Sequence, residues 1–86
     1  MDRPRRRDDV LLKDLGNQEK ILYDPRNGKV HSLNVTAMEI WNLCDGRHGI
    51  EEIAERIISK FDVSRDQALS DIKKTVEKFK DQNLLQ

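Results

Sequence analysis

Disulfide chemistry is closed to this chain: Cys44 is its one cysteine, so no internal bridge can staple the fold. Long apolar runs are missing too. No stretch approaches the ~20 residues that span a bilayer, and no apolar segment follows the basic N-terminus as a signal peptide would require. Aromatic residues are scarce, with four of Phe, Trp and Tyr in 86 residues, and 36% of the chain is apolar. The core is therefore small, and the expected stability is modest, roughly 4–13 kcal/mol. An excess of one charge is also absent, because 16 Lys and Arg balance 16 Asp and Glu. That balance argues against the broad basic field of a general nucleic-acid binder, although a local patch stays open. No glycine-rich phosphate loop occurs. The expectation is one small, soluble, cytoplasmic domain.

What is present divides the chain. Residues 1–9 hold four arginines and three aspartates without apolar periodicity, the composition of a solvated, disordered tail. The sharper alternative is an arm that clamps a partner protein. On the first reading, deleting Met1 to Asp9 should leave the melting temperature nearly unchanged. Residues 10–86 then form the domain. Residues 10–15 and 18–24 are extended candidates, and Gly16-Asn17 between them reads as a type II′ hairpin turn. Asp24-Pro25-Arg26-Asn27-Gly28 makes a second turn, with Pro25 presetting φ, and Lys29 to Leu33 follows as a third strand.

Asn34 stands where it can cap a helix from about Val35 to Asp45, with Ala37, Ile40, Trp41 and Cys44 at helical spacing. Asp45-Gly46 supplies a stop that tolerates left-handed geometry. A second helix, about Ile50 to Phe61, carries Ile50, Ile53, Ala54, Ile57 and Phe61 on one stripe. Gly49 is an acceptable N-cap. A third helix begins after Ser64 and runs to about Gln82, with Ala68, Ile72, Val76 and Phe79 inward. Leu84 and Leu85 can fold back on the core. No internal repeat is visible. The order β-β-β-α-α-α is α+β and winged-helix-like, a three-stranded antiparallel sheet followed by three helices.

That outline raises DNA binding, since a recognition helix meets the major groove with its N-terminal residues. Here those residues are Glu51, Glu52 and Glu55, which suit the helix dipole and oppose phosphate. An enzymatic reading is weaker still. Cys44 and His48 lack further zinc ligands at a recognisable spacing. Cys44 also shares the apolar stripe, as an inert core thiol would. His31 alternates with Leu33 and reads as a half-buried strand residue. Neither a catalytic constellation nor a metal site is expected.

The run Leu33, Asn34, Thr36, Ala37, Ile40, Leu43, Cys44, Asp45 and Gly46, followed by Ile50, Glu52 and Ile53, resembles the signature of the PqqD family of pyrroloquinoline quinone biosynthesis. The likeness continues to Asp71-Ile72 and Leu84-Leu85. Gly49 departs from it, because the family often has a capping Thr there. The same domain serves as the recognition element for precursor peptides that are ribosomally made and then modified. The resemblance implies a non-catalytic peptide chaperone without a cofactor of its own. Its partners would be the leader of a precursor peptide and a modifying enzyme, a radical S-adenosylmethionine enzyme if the likeness is close, and no nucleic acid or membrane. A recognition element from another peptide pathway is the neighbouring alternative, and a winged-helix DNA-binding regulator the alternative from a different class.

Physics supplies a route to peptide binding. In a hairpin-joined sheet the third strand is an edge, and an extended peptide can satisfy its free N–H and C=O groups as a fourth strand. The resemblance implies that mode, with the leader resting against the third helix. The expected contact residues are Lys29, Val30, His31, Ser32 and Leu33 on the strand, with Leu69, Lys73, Val76 and Lys80 on the helix. Lys73 and Lys80 could meet acidic leader side chains, or simply be solvated, with Lys73 paired to Glu77. A bare edge also permits a homodimer.

Overall fold

The computed structural model describes residues 3–17 and 19–86. Met1 and Asp2 of the expected tail, and Gln18 at the start of the expected second strand, lie outside the described residues. Strands β1 (Leu11–Gly16), β2 (Glu19–Asp24) and β3 (Lys29–Leu33) precede helices α1 (Val35–Leu43), α2 (Ile50–Phe61) and α3 (Arg65–Asp81). The strands form an antiparallel sheet in the order β1-β2-β3. Gly16 and Asn17 both take positive φ, 79° and 52°, whereas a type II′ turn needs it only at the first position. A register shift between Asp14 and Gly16 accompanies the turn.

Paired residues share a face of the sheet, so Leu12, Leu22 and His31 form one cross-strand row and Leu11, Tyr23 and Val30 another. The first face meets the helices, which is why Leu22 and Leu33 are buried. The second faces solvent. Each helix starts on a polar cap: Asn34 Oδ1 accepts from Ala37 N–H at 2.7 Å, Glu52 accepts from Gly49 N–H at 3.1 Å, and Ser64 Oγ accepts from Gln67 N–H at 3.1 Å. The core gathers Ile40, Trp41 and Cys44 of the α1 segment, Ile53, Ala54 and Ile57 of α2, and Ala68, Ile72, Val76 and Phe79 of α3, closed by Leu84. Trp41 meets Phe79 edge-on, with ring centroids 5.2 Å apart. Helix α1 stops at Leu43, two residues before the expected end, and Gly46 takes φ 80° as expected of a left-handed stop.

The arginine-rich segment corrects the expectation of a solvated tail. Arg5 bridges to Asp45 and Arg6 to Leu85, and Pro4 O accepts from Gly46 N–H at 3.0 Å. Arg7 is 7% exposed and Asp24 1%. Their side chains make two hydrogen bonds, at 2.9 and 3.0 Å, and a further Arg7 N–H reaches Asn83 O at 2.9 Å. Arg6 donates to the Asn42 and Cys44 carbonyls at 3.0 and 3.2 Å. It thereby gives α1, which has no basic residue in its last turn, a cation at its C-terminal end. The segment is held because Arg5, Arg6, Arg7, Asp8 and Asp9 each have a partner. Those partners are carboxylates and backbone carbonyls, several of them distant in the chain, which composition does not reveal.

Candidate functional site

Strand β3 is paired to β2 along one side only, which leaves its other side beside the helices. A hollow of about 120 Å³ opens there, lined by His31, Ser32 and Leu33 of β3, Asn34 and Ala37 at the start of α1, and Thr75, Lys78, Phe79 and Gln82 toward the end of α3. It adjoins a second hollow of about 270 Å³ lined by Asn34, Thr36, Ala37, Asp71, Lys74 and Thr75. A third, about 370 Å³, lies at the sheet end between Leu15, Ile21, Ser32 and Asn34. Asn34 borders all three, so the strand-to-helix joint is the centre of an extended groove. Its side chain is already committed to capping α1, which holds this joint rigid.

Of the expected strand residues, His31, Ser32 and Leu33 line the groove. Lys29 and Val30 do not, and Val30 is 55% exposed on the solvent face. The expected helix residues fall elsewhere. Val76 is buried in the core and Leu69 packs against it, while Lys73 and Lys80 are exposed. None of the four lines the hollows beside β3. At 3.6 residues per turn, Asp71, Thr75, Lys78 and Gln82 share one flank of the Ile72–Phe79 line, whereas Leu69, Lys73 and Lys80 share the opposite flank. An apolar Leu69 drew attention to the flank away from these hollows, and the mixed polar residues of the groove wall offered no comparable cue.

Catalytic chemistry gains nothing from the arrangement. Burial pushes the Cys44 thiol up to about 12, so little thiolate exists near neutral pH. His48 does not pair with it, its Nδ1 lying 2.9 Å from Asp45 Oδ1 instead. Burial works to raise the Asp45 carboxyl, but the Arg47 amide and His48 outweigh it and hold the group below its ordinary value. Among the described residues no three His, Cys, Asp or Glu side chains come together as a metal site. At the start of α2, Glu51 and Glu55 pair with Arg65, so carboxylates occupy the position a recognition helix would turn toward phosphate. The winged-helix regulator reading is unsupported.

A family model described as coenzyme PQQ synthesis protein D (PqqD) matches residues 19–85. The chain belongs to the PqqD family. The match spans all of β2 through the closing Leu84-Leu85 and omits the arginine-rich segment and β1. Two solved structures are similar over nearly the whole chain. One, TbiB1 in complex with the TbiA(beta) leader peptide, is 22% identical, covers 95% of this chain and 94% of its own, and has a TM-score of 0.81. At that identity the likeness establishes the fold. The other, lasso peptide synthetase B1 complexed with the leader peptide, is 25% identical, covers 98% of each chain and also has a TM-score of 0.81. A comparison with curated proteins finds no match. Among the described residues no helix is long and apolar enough to cross a membrane.

Proposed function

We propose that this PqqD-family protein is a non-catalytic adaptor that binds the leader of a ribosomally made precursor peptide and presents it to a modifying enzyme. The observation that carries this reading is an unpaired β3 side running beside a groove walled by α3. A peptide entering it as a fourth strand would pair its backbone with β3, giving affinity that tolerates sequence, and would drop alternate side chains into the hollows, giving choice. The 25% identical lasso peptide synthetase B1 is complexed with a leader peptide, which supports the same role here. The contact set becomes His31, Ser32 and Leu33 with Asn34, Thr75, Lys78 and Gln82, and Lys29 and Val30 contribute backbone.

The partner enzyme has two readings. The family match favours a radical S-adenosylmethionine enzyme, whose clusters and chemistry would be its own. The 25% identical relative, a lasso peptide synthetase component, favours a different peptide pathway. Synthetic leaders, drawn from any short precursor gene found beside this one, test the reading by amide NMR titration. Shifts should concentrate on Lys29 to Leu33 and on Asp71 to Gln82. Shifts clustered on α2, or none with any leader, would overturn it.

A further inference from the structure

We infer that the small hollow between β3 and α3 selects an acidic side chain of the bound peptide, with His31 as the residue that reads it. This rests on the peptide-binding reading above. His31 Nε2 is buried and meets no hydrogen-bond partner among the described residues. A buried nitrogen left in that state is destabilising, and native folds rarely keep one without a use. The atom belongs to a side chain that lines the hollow; it is closed to water in the unbound fold, so an occupant of the hollow completes it by a small turn of the ring.

The chemistry of the other walls narrows the occupant. Lys78 lines the same hollow and Lys74, one turn earlier, lines the next. Neither forms an ion pair among the described residues. The one carboxylate on this wall, Asp71, lies two turns from Lys78 and accepts from Gln67 at 2.9 Å. The β3 end of the wall is therefore positive and uncompensated. Leu33, Ala37 and Phe79 supply apolar walls that strengthen a charge-assisted bond by excluding water. A hollow of about 120 Å³ admits an Asp or Glu side chain. A hydroxyl would satisfy Nε2 and leave the lysines unmatched, and a basic side chain would be repelled. A carboxylate answers both His31 and Lys78.

The test uses the full-length protein, immobilised, and a random decapeptide library selected by mRNA display. Wild type should enrich peptides with Asp or Glu at one fixed position. Changing that residue to its amide in a selected peptide should weaken binding about tenfold. His31→Leu should lose the preference and bind acid and amide peptides within about twofold of each other. His31→Gln, which keeps a donor, should retain part of it, and thermal melts of both variants establish that they fold. Binders without an acidic position overturn the inference and leave peptide binding standing. So does an acidic preference that survives in His31→Leu. A library that yields no binder at all overturns the peptide-binding reading, and this inference with it.

Discussion

Residues 3–9 and strand β1 are neighbours in sequence and end in opposite surroundings. Six of the seven residues from Arg3 to Asp9 are charged, yet Arg7 is buried and Pro4 with it. Half of β1 is leucine, yet all six of its residues are exposed, Leu15 to 56%. Burial here follows partners more than polarity. Arg7 enters because Asp24, Asp9 and Asn83 O complete its donors. β1 stays out because the helices cover Leu22 and Leu33 and leave the sheet's first edge uncovered. The contrast also assigns different work to each region, the segment tying the ends of the fold together and β1 lengthening the sheet.

Trp41→Ala sets the scale for breaking that contrast. The ring is 2% exposed against Phe79, so its loss should cost about 3–5 kcal/mol, comparable to the whole expected stability and visible as a denaturant midpoint near zero. Trp41→Ala that folds normally but loses peptide binding would move Trp41 from the core into the site. Deleting Met1 to Asp9 comes next. It removes the bridges to Asp45 and Leu85, uncovers the α1 carbonyls and strands the buried Asp24 carboxylate. The melting temperature should fall by about 10 °C or more. A drop within about 3 °C would restore the solvated-tail reading.

Acid should loosen the segment selectively. The Arg7 guanidinium holds Asp24 below its ordinary carboxylate value, and Arg7 does the same for Asp9. A carboxyl depressed in the folded state stabilises fully above its unfolded value, about pH 4, and that contribution is lost as pH falls through the folded value. Asp24→Asn should therefore be markedly less stable than wild type at pH 7. Urea midpoints of the two proteins should converge as pH falls below about 4. A gap that stays constant with pH would show that Asp24 acts through its shape and not its charge.

The parts legible in the sequence were those whose cause is local. Helical spacing and the Asn34 and Ser64 caps place three helices within two residues of their observed ends. The turn residues place three strands, and the open β3 edge follows from their order alone. What stayed hidden depends on residues distant in the chain. Arg6 and Arg7 look solvated until Cys44 O, Asp24 and Asn83 O come within reach. Gly46 was expected for its left-handed φ, but a Cβ there would also lie 3.2 Å from Arg5 Cδ, a second demand set by the same segment. The flank of α3 that turns toward β3 was hidden for a related reason. Leu69 and Thr75 flank the core line equally in sequence, and only packing shows which flank turns toward β3.

The smallest effect expected tests the other half of the contrast. If β1 leucines contribute little burial, Leu11→Thr with Leu15→Thr should leave stability within about 1 kcal/mol, because Thr keeps strand propensity and exposed sites respond weakly. Leu22, on the neighbouring strand and fully buried, provides the control: Leu22→Thr should lose several times as much through the cavity and the stranded hydroxyl. Leu11 shares a solvent-facing row with Tyr23 and Val30, and Leu15 borders only the hollow at the sheet end. The double variant should accordingly hold its peptide affinity within about twofold, since the two hollows between β3 and α3 keep every wall. A loss of several kcal/mol in the leucine pair would mean that the solvent face is part of the fold's stabilising surface, and the contrast between the two regions would collapse.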